Sequence, residues 1–340
     1  HGQFFLGPEV REFEKKISSF LKSRYSIGVA SGSSALYLSL RACGIGPGDE
    51  VITTPLSWII TSNAISSCGA VPIFVDVKDD LNINEKLIEK SITKKTKAIV
   101  PMHYGGHACN MKSIMKIARK NKLFVVEDAA QAFGSELYKN GIISDVVSFS
   151  MNPMKPLGGY GENGAIVTNN YYIYKKIKLL RHAGTLSDPQ KKITNKCVQI
   201  SLNHKMDTIN ASFLLDSLKN FKKKLKVKRI LALKYYEKLN SYLKFQTNKN
   251  DIKNHALYAF TVISNKRDAL KKFLEKNNIE TKIYHEPLIP ESPAYQHLKK
   301  CNIPNSKKLV KKILSLPIHE KINDKDILKI QKVIKKFKDI

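Results

Sequence analysis

One pattern limits the folds open to this chain more than any other. Over its first two-thirds, short apolar runs alternate with segments of helical periodicity. SIGVAS (26–31), DEVITTP (49–55), VPIFVDV (71–77), KAIVPMH (97–103), LFVVEDA (123–129), VVSFSM (146–151) and GAIVTN (164–169) read as strands. PEVREFEKKISSFLKS (8–23), SALYLSLRACG (34–44), SNAISSCG (62–69) and NMKSIMKIARKNK (110–122) read as helices. A near-continuous apolar strand has to be covered on both faces, and the intervening helices supply that cover. The pattern predicts an α/β fold with a mostly parallel central sheet between helices. In such sheets ligands sit beyond the carboxyl ends of the strands, where His103, Asp128 and Lys155 fall.

The character changes near residue 215. SFLLDSLKNFKKKLKVKRILALKYYEKLNSYL (212–243) reads as one long helix or two abutting ones. HALYAFTVIS (255–264) and TKIYHEP (281–287) read as strands, and KRDALKKFLEKNNI (266–279) and DKDILKIQKVIKKFKDI (324–340) as helices. A large α/β domain over 1–215 and a small α+β domain over 216–340, joined by the long helix, are expected.

Composition narrows the function classes. No apolar run approaches the roughly 18 residues of a membrane span, so none is expected. Five scattered cysteines without a C-x-x-C fit free thiols in a reducing cytoplasm, and neither a disulfide scaffold nor a zinc site. His103, His107 and Cys109 in HYGGHAC lack the further ligand spacing that zinc requires. Residue 1 is His, so the native start is expected upstream. Lys and Arg outnumber Asp and Glu by 58 to 29. The lysines are dispersed at helix-like spacing with Leu and Ile between them, as on solvated helix faces, which argues against a nucleic-acid surface. The same excess would attract anionic substrates.

Gly159-Tyr160-Gly161-Glu162-Asn163-Gly164 spells G-x-G-x-x-G, the dinucleotide pattern. That reading requires a strand before the glycines and a helix after them, so that the helix start meets the pyrophosphate. Here AIVTNN follows, which is a strand. A P-loop fails too, because Lys155 precedes the glycines.

Lys155 points elsewhere. A Schiff-base lysine working with pyridoxal phosphate (PLP) needs a carboxylate for the pyridine nitrogen, a ring to stack on, and hydroxyls or amides for the phosphate. Asp128 ends the buried strand LFVVED, SGSSAL (31–36) is a small-residue turn opening a helix, and Trp58 is the single tryptophan. Taken singly, Asp128 would read as a cap or ion pair and Trp58 as a core aromatic.

These segments, in order along the chain, resemble the DegT/DnrJ/EryC1/StrS sugar aminotransferases of the fold-type I PLP enzymes. The resemblance runs through FFLGPEVREFE, SGSSAL, GDEVITTPLSWIITSNAI, VEDAAQAFG, FSMNPMKPLGGYGENGAIVTN, LRHAG, LNHKMDTINASFLL, IYHEPLIPESPAY and LSLPIHEKINDKDI. It implies that Lys155 carries the cofactor, Asp128 pairs with its pyridine nitrogen, Gln131 bonds it and Trp58 stacks on it. It implies that Ser33, Ser34 and Ser150 hold the phosphate, and that Asn203 reaches the phosphate of a partner subunit in a homodimer with shared sites. His103, Tyr160, His182 and His285 are candidate substrate contacts. The chain departs from the family's usual pattern at Ser33, at LRHAG, at LNHKM and in the M-N-P-M-K loop. Some relatives replace the lysine by His and dehydrate; Lys155 argues against that branch.

The resemblance implies an aminotransferase that moves an amino group from an amino acid such as L-glutamate to an anionic keto substrate, cycling between PLP and pyridoxamine phosphate. A nucleotide-linked keto sugar of surface-polysaccharide or modified-sugar biosynthesis leads. A small phosphorylated ketone such as dihydroxyacetone phosphate, or a keto-cyclitol, is the alternative. A PLP-binding regulator or dehydratase is the alternative class.

Overall fold

The computed structural model describes residues 2–187, 194–298 and 301–338. Its main sheet holds β1 (Tyr25–Val29), β2 (Glu50–Thr53), β3 (Val71–Phe74), β4 (Thr96–Val100), β5 (Phe124–Asp128), β6 (Val146–Ser150) and β7 (Gly164–Thr168). The order across the sheet is β1-β7-β6-β5-β4-β2-β3. Every pairing from β3 to β6 is parallel, and β7 runs antiparallel to both of its neighbours. The loop carrying Lys155 therefore joins two antiparallel neighbours, strand to strand, as the run GAIVTN implied.

Helices α1 (Pro8–Leu21), α2 (Gly32–Ala42), α3 (Ile60–Ser67), α4 (Glu85–Ile88), α5 (Met111–Lys120) and α6 (Tyr171–Arg181) cover this sheet. Strand residues alternate between its two faces. Val126, Val146 and Ile166 share a core with Leu36 and Leu40 of α2, Ile65 of α3 and Ile177 of α6. Val147, Phe149 and Val167 face the other way, against Phe13 and Ile17 of α1. Ile88 and Ile114 of α4 and α5 close over Ile52, Ile99 and Val125.

The helix read as one or two is one. α7 spans Thr208–Leu239 without a break. Leu214 and Phe221 of its first half belong to the core around α1, whereas Leu231, Tyr235 and Leu239 belong to another. That second core lies on an antiparallel sheet of β8 (Lys244–Phe245), β9 (Phe260–Ile263) and β10 (Ile313–Leu316), in the order β10-β9-β8. Helices α8 (Arg267–Lys276), α9 (Pro304–Val310) and α10 (Asp324–Lys338) complete this half. The last two residues of the helix expected over 324–340 lie outside the described residues.

Two expected strands differ. HALYAFTVIS becomes a strand only at Phe260, because Leu257 takes a left-handed φ of 54° that breaks the extended run. TKIYHEP is not a strand. Lys282 makes one bridge to Ser315, and His285 then turns the chain with a φ of 64°. Among the described residues no helix is long and apolar enough to cross a membrane.

Candidate active site

A cavity of about 610 Å³ opens where β2, β5 and β6 end, and residues 258 and 283–287 wall its other side. Asp128, the last residue of β5, is buried there. Its Oδ2 accepts from the Thr61 hydroxyl at 2.6 Å, and its Oδ1 accepts from the Ala130 N–H at 3.2 Å. Thr61 in turn lies 2.6 Å from the Ser57 hydroxyl. Burial pushes the Asp128 carboxyl above its ordinary range, while Thr61, the Ala130 amide and Lys155 oppose that shift.

Lys155 leaves the turn that follows β6. Its N–H donates to Asn152 O at 2.9 Å, and Gly159 N–H returns to Met151 O at 3.0 Å. The turn is tight at Gly158, where a Cβ would stand 2.6 Å from Pro153 O. Burial lowers the proton affinity of the Lys155 amine, against the pull of Asp128 and Glu162. Nζ lies 4.5 Å from the centroid of the Tyr258 ring.

Ser31 caps α2, accepting from the Ser34 N–H at 3.0 Å. Gly32 brings this helix start against the end of β6, because a Cβ there would stand 2.6 Å from Ser150 Cβ. Ser33 and Ser150 both line the cavity. Ser34 does not: its hydroxyl bonds to Ser31 and to His204 Nδ1, at 3.1 and 2.9 Å. Trp58 lines the cavity with 62% of its surface open.

Gln131 and His285 meet on the wall. The Gln131 Oε1 accepts from Gly105 N–H at 2.7 Å, so its Nε2 is the amide donor that faces His285 Nε2 at 3.1 Å. His285 Nε2 must then accept, which keeps the ring neutral. Burial, reinforced by Lys155, pushes the ring's pKa down to about 3.

Other expected site residues stand apart. His103 does not line the cavity. It is fully buried behind β5, donating from Nε2 to Glu127 at 2.7 Å and accepting from Cys109 N–H at Nδ1. Tyr138 and Ser144 donate to the same Glu127 carboxylate, so His103 belongs to a closed structural network. Tyr160 is exposed and packs on Phe213 at 4.6 Å. His182 and Asn203 pair in an isolated bridge away from the cavity of this chain.

Sequence reasoning missed Thr61, Tyr258 and Tyr284. Thr61 falls in the first turn of α3, just before the run read as helical, and its residue type gave no signal. Tyr258 offered none.

This donor set fits PLP. A half-buried lysine amine, a buried carboxylate, an open indole and a capped helix start with two serines border one cavity. The comparisons agree. A Methanocaldococcus jannaschii protein of uncharacterised role is 36% identical, over 98% of this chain and 90% of its own length. The UDP-2-acetamido-2-deoxy-3-oxo-D-glucuronate aminotransferase of Pseudomonas aeruginosa is 32% identical, over 94% of this chain and 88% of its own length. The 3-oxo-glucose-6-phosphate:glutamate aminotransferase of Bacillus subtilis is 33% identical, over 90% of this chain and 68% of its own. The Bacillus subtilis protein ntda, solved with bound cofactor PMP, superposes with a TM-score of 0.90 at 29% identity, over 98% of this chain and 78% of that one. Residues 1–337 match the DegT/DnrJ/EryC1/StrS aminotransferase family, and the chain belongs to that family of PLP-dependent transaminases.

Proposed function

We propose that this enzyme moves the amino group of an amino acid, L-glutamate, to a nucleotide-linked keto sugar. The observation that carries the reading is the placement of Lys155 and Asp128 on one cavity, which an open Trp58 also lines. Two relatives at 32% and 33% identity bear the names of keto-sugar aminotransferases, which supports the substrate class.

PLP, when bound, supplies the sink for the electrons left when a proton leaves the donor's Cα. Lys155 Nζ would hold it covalently. Asp128 would keep a proton on the pyridine nitrogen, with Thr61 and Ala130 fixing the carboxylate. Trp58 would cover the ring. Ser33, Ser150 and the start of α2 would hold the phosphate. Ser34 enters this proposal only through its backbone, because its hydroxyl is taken by Ser31 and His204. Once free, the Lys155 amine would take the proton from the donor's Cα. Burial favours the neutral, basic form that this step needs. Gln131 would face the cofactor, and His285 the substrate, as a neutral ring.

A homodimer belongs to the proposal. Met154, Tyr160, Leu202 and Ile209 are large apolar side chains left more than 60% exposed around the Lys155 loop and the start of α7. A second copy covering them would bring Asn203 to the neighbouring phosphate. The five unpaired cysteines suit a reducing cytoplasm.

One relative's name supports a second substrate reading, a phosphorylated keto sugar without a nucleotide. A screen of nucleotide-linked against phosphorylated keto sugars separates the two. The activity itself is tested with L-glutamate alone, which should convert the aldehyde-form absorbance to that of the amine form. No conversion would sink the aminotransferase reading. Borohydride should trap the cofactor on Lys155 and leave Lys155→Ala unlabelled.

A further inference from the structure

We propose that Tyr258 is a further catalytic residue, whose ring face receives the Lys155 ammonium whenever that amine is free of the cofactor. The proposal rests on the assignment of Lys155 above and extends it to a residue from the other half of the chain.

The geometry is direct. Nζ of Lys155 lies 4.5 Å from the Tyr258 centroid, inside the range in which a ring face attracts a cation. The ring is held there by backbone. Leu257, in the left-handed region, turns the chain so that Tyr258 lines the cavity. Ala256 and Ala259 N–H donate to Gly106 O and Gly105 O, both at 3.0 Å. Gly105 N–H in turn donates to Gln131. No side chain fits at Gly106, where a Cβ would meet Gln131 O at 2.7 Å and Ala256 Cβ at 3.0 Å. The glycine pair of HYGGHAC thus joins the Tyr258 segment to the Gln131 side of the cavity.

The chemistry calls for such a ring. An ammonium that burial strips of part of its water is costly unless something faces it. Among the described residues, four groups surround Lys155 besides Tyr258. Asp128 accepts from Thr61 and Ala130, Glu162 accepts from Asn152 at 2.6 Å, His285 is neutral, and the Tyr284 ring lies tilted against Tyr258 with centroids 5.5 Å apart. None makes an ion pair with Nζ within the described residues. The Tyr258 face is what stabilises the proton that Lys155 takes from the donor's Cα. Losing it lowers the proton affinity of Lys155 in the same direction as burial.

The test reads the lysine and not turnover. The full-length chain, stripped of cofactor, is labelled with acetic anhydride across a pH series, and labelling of the Lys155 peptide is followed by mass spectrometry. Tyr258→Phe should keep the wild-type midpoint. Tyr258→Leu should lower it by about one pH unit. Phenylalanines with one, two and three ring fluorines, introduced at position 258, keep the shape while draining the face. They should lower the midpoint stepwise, which guards against a misfolded leucine variant. A midpoint indifferent to fluorination overturns the proposal. Borohydride trapping on a lysine other than Lys155 would overturn the functional assignment instead, with the labelling series unchanged.

Discussion

The hydroxyl of Thr61 donates to Asp128 Oδ2 at 2.6 Å, across 67 residues of sequence. It is one of two donors that hold a buried carboxyl towards its ionised form, and burial works against them. Thr61→Val removes a bond to the charged state, so the Asp128 pKa rises further. A charge-assisted bond of about 1.5–3 kcal/mol corresponds to a rise of roughly one to two units. The acid limb of the kcat–pH profile should move up by that amount, with kcat at neutral pH about tenfold lower. Thr61→Ser should restore both. An unmoved limb in the valine variant would show that Thr61 does not tune the carboxylate.

Asp128 also carries a stability consequence. Its folded pKa is raised, so the folded chain binds the proton more tightly than the unfolded chain does. The associated stability is fully present below the unfolded pKa and is lost as pH rises through the folded one. Wherever this carboxyl is ionised, the cofactor-free enzyme therefore holds an unfavourable buried charge. Asp128→Asn should raise the melting temperature of the cofactor-free protein, by about 1 kcal/mol of stability, while abolishing transamination. The gain should vanish near pH 3. A lower melting temperature at pH 7 would mean that Lys155 more than compensates the carboxylate.

The strands of the main sheet were legible because most of their positions are buried on both faces, and such runs stand out: VVSFS and GAIVT are buried at every position. Placing Asp128 and Lys155 at strand ends followed from the same runs. What the sequence hid is whatever depends on contacts between distant segments. His103 follows a strand just as Asp128 ends one, yet it faces Glu127, 24 residues away, and not the cavity. Tyr258 reaches Lys155 only because Leu257 adopts a backbone conformation that its residue type does not announce. The left-handed turn at His285 likewise ends what looked like a strand.

His103 itself separates a structural from a substrate role. Its ring and Glu127 form a fully buried pair, with Tyr138 and Ser144 closing the carboxylate. His103→Ala leaves Glu127 short of a partner where water does not reach. The expected cost is about 3 kcal/mol, seen as a lower urea midpoint. The KM for the keto substrate should stay unchanged at temperatures where the variant is folded. A raised KM with an unchanged urea midpoint would return His103 to the list of substrate contacts.

Gly32 sets the distance between the start of α2 and Ser150, the two parts of the proposed phosphate site. A Cβ at this position would stand 2.6 Å from Ser150 Cβ and 3.1 Å from Ser150 Cα, both fixed by the end of β6. Neither neighbour is the end of a flexible side chain, so Gly32→Ala must push the start of α2 away from Ser150. The backbone N–H groups of that helix start would then miss an anion that Ser150 still holds. Gly46→Ala is the control, since no atom lies within 4 Å of its new methyl and its backbone is not left-handed. Titrating the cofactor-free chains with PLP should show about a tenfold weaker Kd for Gly32→Ala, or about 1.4 kcal/mol, and no change for Gly46→Ala. Pyridoxal without its phosphate should bind the Gly32→Ala variant and the wild type alike, because the displaced contacts serve only the phosphate. Equal loss for both ligands would place the damage in the fold and not in the anion site.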